Sequence, residues 1–444
     1  MRTRYNKRRF RTAIMILILL LCMSIGYSYL LTTLNIEGTS NIKANSWDVH
    51  WENVSVKSGS VTGDQVPIAA HVMSDTTQVE YSVILKNPGE YYEFTVDAKN
   101  SGSLDAMVSV VDTKFYESNG VTEINLPDYL EYEFLYSNGV YIDEYQLLPA
   151  NSSKTIKIKL KFKDNLDESE LPSTDKTIVI RESITYIQAD ENAFEIPNSR
   201  FAQDSWSNIN SNIISGHTDI YNIGDTKEVD MGSFGTHTLR IANKSTPEEC
   251  STTGFSQTAC GFVLEFADII TEYRMNPYDS SVTTSGNGNI GGWPATEMRT
   301  FVNDDIYNAL PTELKNGIIN TTVVSGHGNT AGETNFTSID KLYLLSTHEV
   351  WESSGITSLL SYDTVWNQTR QLDYYKSKNV TTSNISEAIK QRNGSNDYWW
   401  LRSAYSGTNT HFYTVNINGD WTNRNRSNYT CGVSPAFRLS DSQS

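Results

Sequence analysis

The chain has 444 residues, with 52 Asp and Glu against 35 Lys and Arg, and only four cysteines. A length of this order exceeds what one hydrophobic core usually fills and points to two or three domains. The acidic balance repels phosphate backbones, and no basic stripe interleaves with aromatics, so nucleic acid is excluded as a natural partner. Four cysteines exclude a disulfide scaffold, and stability has to come from packed cores.

Arg2, Arg4, Lys7, Arg8, Arg9 and Arg11 precede an apolar run from Ala13 to Cys22, which continues through Met23, Ile25, Tyr27 and Tyr29 to Leu31. At about 1.5 Å per helical residue this run spans most of a bilayer, and the basic cluster marks its cytoplasmic side. Residues 1–34 are therefore expected to be a signal or membrane helix that places the rest at the cell surface. Basic, apolar and small residues also follow the order of a cleaved signal peptide, with Ser24, Gly26 and Ser28 as the small residues. Anchor and cleaved signal both stand at this level. Cys22 follows Leu21 where a lipobox needs a small residue, and is taken as an ordinary membrane residue. The first 31 residues carry no acid, so the remainder holds 52 acids against 29 Lys and Arg, a formal charge of −23.

Residues 35–189 form a run of strands separated by turns. From Lys154 to Lys163, Ile156, Ile158, Leu160 and Phe162 alternate with lysines, which predicts an antiparallel strand with one buried face. Val79, Tyr81, Val83 and Leu85 repeat the period, as do Tyr92, Phe94, Val96 and Ala98, with Pro88-Gly89 as the turn between them. Trp47, Val49 and Trp51 supply another strand. Such runs without a long helical pattern predict an all-β sandwich. Here S-I-G-Y-S-Y-L-L, W-D-V-H-W-E-N and P-G-E-Y-Y-E-F-T-V-D-A-K-N-S-G, over about residues 13–110, resemble the camelysin and TasA-like exported proteins of Gram-positive bacteria. That resemblance implies a jelly-roll-like domain, some of whose relatives assemble into fibres; a stalk is the plainer role.

Residues 190–203 are polar and aperiodic, contain Pro197, and are expected to be a linker. The remainder, 204–444, mixes strands with helices. Asp204 to Ser215 predicts a short helix, Val229 to Asn243 a hairpin around Gly232–Gly235, and Phe262, Leu264 and Phe266 a strand. Thr296 to Leu310 places Met298, Val302, Ile306 and Leu310 on one helical face, and Pro311 ends it or opens a second helix. Lys341–Ser346, Tyr398–Arg402 and Val433–Leu439 complete the strands of an α+β domain. Its I-G-D-T-K, G-G-W-P, W-W-L-R-S and G-V-S-P-A-F-R-L motifs resemble a bacterial domain family of unknown function. The ending is similar to C-type-lectin-like domains, including variable proteins of diversity-generating retroelements and, more distantly, formylglycine-generating enzymes. The resemblance implies a C-type-lectin-like fold with a ligand face near the C-terminus.

Between Ser403 and Phe437 the chain has no Lys, Glu, Gln or Met. Tyr405, Asn409, His411, Tyr413, Asn416, Asn418, Asp420, Asn423, Arg424, Asn425, Arg426, Asn428 and Tyr429 are instead the expected ligand-binding residues. They belong to the set that Asn codons reach by changes at their adenines, which fits retroelement diversification; Asn-rich surface loops are the plainer reading. Tyr and Asn together supply contact area, donors and acceptors, and Arg424 and Arg426 suit a ligand carboxylate. Trp399, Trp400, Arg402, Trp421, Gly432, Pro435 and Phe437 are expected to be structural.

Catalytic patterns are thin. His348-Glu349 lacks the second histidine of a zinc helix, because position 352 is Glu and its neighbour at 353 is Ser. No nucleophile-elbow motif occurs, and Ser325-Gly326-His327-Gly328 has turn composition. Cys431 near His411 is the one nucleophile pair to consider, and the copper-binding cysteines of formylglycine-type enzymes and the lectin E-P-N and W-N-D motifs have no match. Cys250 and Cys260 flank a Ser/Thr/Gly stretch and outside the cell suit a disulfide, with zinc the lesser alternative. The expectation is an exported, non-enzymatic binding protein of the adhesin type, without cofactor or metal, recognising a surface protein or glycan. A fibre assembled through the sandwich and an extracellular enzyme are the alternatives.

Overall fold

The architecture is that of a computed structural model, which describes residues 12–17, 45–174, 176–277, 288–330, 332–354, 362–421 and 424–440, without the side chains of Arg424 and Arg426. Residues 12–17 are helical; the rest of the expected membrane run lies outside the described residues. Among the described residues no helix is long and apolar enough to cross a membrane. Trp47–Ser444 is one unit, mostly β-sheet with short helices, and it contains two separate hydrophobic cores.

The first core lies between two sheets, an arrangement compatible with a β-sandwich. One sheet runs in the order Val49–Val56, Tyr91–Asn100, Ser152–Phe162, Leu130–Tyr136; the other joins Ile178–Gln188, Ala106–Glu117 and Glu123–Ile124. Alternation decides which side chains turn inward: Phe94, Val96, Ile156 and Ile158 are buried, whereas Lys157 turns outward to Glu133 at 2.6 Å. The expected turn at Pro88-Gly89 does not make a hairpin. Val79–Ser82 pairs with Ile68–Val72 instead, and Tyr81 packs across Phe94, ring centroids 5.0 Å apart, so the two runs meet through side chains rather than through a ladder. One inward position is acidic. Glu182 shares the inward register of Ile180, Ile184 and Tyr186, and burial pushes its carboxyl up to about 8.

The expected linker is structured. Phe194 donates its N–H to the Tyr145 carbonyl and accepts from Leu147 N–H. Ser199 then caps the helix Arg200–Gln203, and Phe201 is fully buried in the second core. The Arg200 guanidinium lies 3.4 Å over the Tyr141 ring. Polar composition is misleading here because the backbone groups are paired rather than solvated.

The part of this unit built around the second core, hereafter the head, carries two five-stranded sheets. The first runs Thr226–Asp230, Thr236–Asn243, Val263–Phe266, Pro435–Arg438, Tyr343–Leu344; the second runs Thr271–Arg274, Thr430–Val433, Trp399–Ala404, His411–Val415, Arg424–Arg426. The helix Trp206–Ile214 begins at Ser205, whose side chain accepts from Asn208 N–H. All four residues of Val263–Phe266 are buried, because a central strand covered on both faces loses its alternation. The expected strand Lys341–Ser346 is reduced to Tyr343–Leu344. The four-residue spacing of Met298, Val302, Ile306 and Leu310 is served by a π-helical turn at Val302–Ile306 inside the α-helix. A pure α-helix would rotate that stripe off the core, and the wider turn keeps all four buried.

Candidate functional site

The strand Trp399–Ala404 is buried along its whole length, and its motif residues act as anchors. Trp399 Nε1 donates to the Ala388 carbonyl at 3.0 Å and Trp400 Nε1 to the Tyr273 carbonyl at 2.8 Å. Arg402 meets Glu349 with two bonds, Nη1 to Oε2 and Nη2 to Oε1, both 2.6 Å, and its Nη1 also donates to the Leu344 carbonyl. Both side chains are fully buried. Glu349 further accepts from Thr258 Oγ1, from Thr369 Oγ1 at 2.8 Å and from Ser346 N–H at 2.9 Å. Burial alone would raise the Glu349 carboxyl, but the Arg402 guanidinium and these donors reverse that and hold it below its ordinary range. Gly432 has no room for a side chain, since a Cβ would meet the Tyr398 carbonyl and Ile269 at 2.7 Å. Trp421 Nε1 donates to the Thr382 carbonyl at 2.8 Å, and Pro435 and Phe437 lie in the core.

The strand His411–Val415 separates the expected ligand residues into two groups. Register pairs His411 with Arg426 and Tyr413 with Arg424, so the loop after Ala404 and the turn after Arg426 share one end. Ser427 N–H donates to the Thr410 carbonyl there. Asn409, His411, Asn428 and Tyr429 belong to this end. Asn416, Asn418 and Asp420 sit in the loop at the other end, where Asn416 Oδ1 accepts from the N–H groups of Asn418 and Asp420. That loop leans on the Trp351 indole, which donates to the Gly419 carbonyl at 3.2 Å. A single small ligand cannot span both ends, because five strand residues rise about 17 Å.

At the first end one buried amide fixes the backbone. Asn289 Nδ2 donates to the carbonyls of Tyr405 at 2.7 Å, Thr408 at 2.9 Å and His411 at 2.7 Å, while Asn289 N–H donates to the Asn409 carbonyl. The preceding Gly288 has φ +48°, and a Cβ there would fall 1.6 Å from the Asn409 oxygen. Asn276 ties the turn after Arg426 to the same place: its N–H donates to the Ser427 carbonyl, and its Nδ2 donates to the Gly288 carbonyl at 2.7 Å. Asn329 Nδ2 donates to the Ser406 carbonyl at 2.7 Å. Over this frame Thr408 and Tyr429 face solvent, and Asn409, Thr410, His411 and Asn428 are half-buried. Tyr362, also exposed, lies 4.9 Å from the Tyr405 ring.

Two expected contact residues need correction. Tyr413 is fully buried and Tyr405 nearly so; their rings meet edge to face at 5.8 Å, so they brace the loop from beneath rather than face a ligand. Asn425 donates to the Cys431 sulfur at 3.2 Å and is half-buried. Asn423 lies outside the described residues. Arg424 and Arg426 are placed by their main chains only. At the Cys431–His411 pair, burial pushes the Cys431 thiol up to about 12, which favours the thiol form, and His411 Nδ1 is engaged by Thr410 at 2.6 Å and Thr408 at 3.0 Å. Cys250 and Cys260 are joined as a disulfide. Among the described residues no cluster of three or more His, Cys, Asp or Glu is placed to hold a metal.

Sequence reasoning missed Asn289 and Glu349. Asn289 follows Gly288 and precedes G-G-W-P by one residue, and its role shows only in its distant partners. Glu349 closes the S-T-H-E pattern of a capping box, but nothing local says that its other partner is Arg402. Residues 268–441 match a family model described as a domain of unknown function (DUF6273). No curated protein matches the chain.

Proposed function

We propose that this is an exported cell-surface binding protein, attached through its N-terminal apolar segment, whose head is C-type-lectin-like and recognises a surface protein or glycan. The observation that supports this reading is the loop end organised by Asn289: three carbonyls of the 405–411 loop are held by one buried amide, while Thr408, Asn409, Asn428 and Tyr429 stay at least partly exposed. Backbone shape is thereby separated from side-chain identity. Substitutions at the exposed positions leave the fixing bonds intact, which is what a recognition surface, constant or diversified, requires. The reading is non-enzymatic. It is tested by binding of the full-length chain, in mild detergent, to immobilised panels of surface glycans and proteins. Alanine at Asn409, Asn428 and Tyr429 is expected to abolish retention, and alanine at Asn416 and Asn418 to leave it unchanged; equal retention by both sets would refute the assignment. Deep sequencing of the 3′ end of the gene across one population tests diversification, which predicts adenine-linked changes at the exposed positions and constancy at Tyr413 and Trp421.

The fibre alternative has one supporting feature. Ile178–Gln188 is an eleven-residue strand at the edge of its sheet, and an unpaired edge templates strand addition. Concentration-dependent sedimentation of the full-length chain, abolished by Thr185→Pro, would favour that reading; a monomer at all concentrations would dismiss it.

A further inference from the structure

The head carries a second polar cleft that shares no residue with the loop end and does not depend on the reading above. Its volume is about 420 Å³, and Phe255 and Pro247 form its apolar wall, a size suited to a small molecule. Its charged lining residues are Glu249, Glu352, Arg370 and Lys376. On the cationic side Arg370 is held rigidly: Nη1 donates to Asn243 Oδ1 and to the Ala259 carbonyl, both at 2.8 Å, and Nη2 donates to Asp373 Oδ1 at 2.9 Å. Its Nε lies 3.6 Å from Glu249, too far for a hydrogen bond, so that edge has a donor to offer. Lys376 is exposed beside it.

On the accepting side, the His348 ring lies flat on Trp366, centroids 4.2 Å apart, and its Nδ1 faces the Trp366 carbonyl at 2.6 Å. A nitrogen facing a carbonyl carries the proton, so in that tautomer Nε2 is the acceptor, and it lies 3.6 Å from Glu352. Gln371 is oriented through Nε2 to the Val350 and Val380 carbonyls at 2.9 and 2.7 Å, so its oxygen remains available. The Cys250–Cys260 disulfide closes the loop that carries Phe255.

We propose that this cleft binds a zwitterionic α-amino acid or the terminus of a short peptide, with the carboxylate at Arg370 and Lys376, the ammonium between Glu352 and His348, and an apolar side chain against Phe255. Arg370 keeps its bond to Asp373 and meets the ligand carboxylate through its Nε edge, with Lys376 adding the second positive charge, while Glu352 supplies the negative charge for the ammonium.

The test is calorimetric titration of the full-length chain in mild detergent with leucine, L-leucyl-L-alanine, and the N-acetylated and C-amidated dipeptide. Saturable binding of leucine or the free dipeptide is expected, weakened about tenfold or more by each cap, as loss of a charged hydrogen bond implies. Lys376→Ala and Glu352→Gln change exposed side chains; each is expected to weaken binding about fivefold or more with an unchanged melting temperature. Tyr429→Ala is expected to have no effect, which separates this cleft from the loop end. Absence of binding up to about 10 mM, where the interaction would fall below ordinary small-ligand strength, would overturn the proposal, as would equal binding of the capped peptides.

Discussion

Removing the Arg402 guanidinium tests whether the W-W-L-R-S motif holds the head together or merely accompanies it. Arg402→Ala deletes two charge-assisted bonds of 2.6 Å to Glu349 and the bond to the Leu344 carbonyl, and it leaves a carboxylate with no exposed surface. Charged hydrogen bonds contribute about 1.5–3 kcal/mol each, and breaking a buried ion pair by deleting one partner costs about 3–5 kcal/mol; a loss of about 4 kcal/mol at pH 7 is expected. The pH dependence gives a second check. In the native protein Glu349 is held below its ordinary value, so its contribution is complete above the unfolded value and disappears as pH falls through the folded one. In the variant burial acts unopposed and raises the carboxyl, so the folded state gains from protonation and the deficit shrinks between pH 7 and pH 4. Urea unfolding followed by tryptophan fluorescence reports mainly on the head, which holds seven of the nine tryptophans. A loss below about 1 kcal/mol at pH 7, the scale of one ordinary hydrogen bond, or a deficit that does not shrink on acidification, would refute the reasoning.

Asn289→Ala removes the side-chain donor from the Tyr405 and Thr408 carbonyls, while the His411 carbonyl keeps the Tyr405 N–H, and is expected to cost about 2–4 kcal/mol, whereas Tyr429→Ala, at an exposed ring, should stay within about 0.5 kcal/mol in the same urea assay. Replacing Cys250 and Cys260 by serine opens a loop with a sequence separation of 10 and should lower stability by about 3 kcal/mol, read as a drop in the urea midpoint at constant slope. For Glu182 the folded carboxyl is raised by burial to about 8, so its stabilising protonation is present below the unfolded value and lost as pH rises through about 8. Glu182→Gln should therefore stabilise the sandwich at pH 9, by at most about 5 kcal/mol, and change little at pH 4. Cys431, with its thiol pushed up to about 12, should resist iodoacetamide at pH 8 until urea unfolds the head, as mass spectrometry of the labelled protein would register.

Local periodicity was enough to place many of the elements. The alternation from Ile156 to Phe162, the Ser205-capped helix at Trp206–Ile214 and the hairpin between Thr226 and Asn243 each follow from side chains within a dozen residues of one another. Each residue expected to be structural in the C-terminal segment, from Trp399 to Phe437, is buried. What periodicity cannot carry is partnership across the chain. Glu349 pairs with Arg402 and Asn289 with the 405–411 loop, over separations of 53 and more than 110 residues, and the charges or amides involved have no local signature. The face of a residue depends on the same distant packing. Tyr413 and Tyr429 look alike as polar aromatics in an Asn-rich tail, yet one is fully buried and the other 53% exposed, because Tyr413 lies within a strand covered on both sides while Tyr429 lies on the turn beside it. Strand pairing also split the tail into two ends. Only the tertiary fold, by choosing which carbonyls Asn289 could reach, decided which asparagines share a surface.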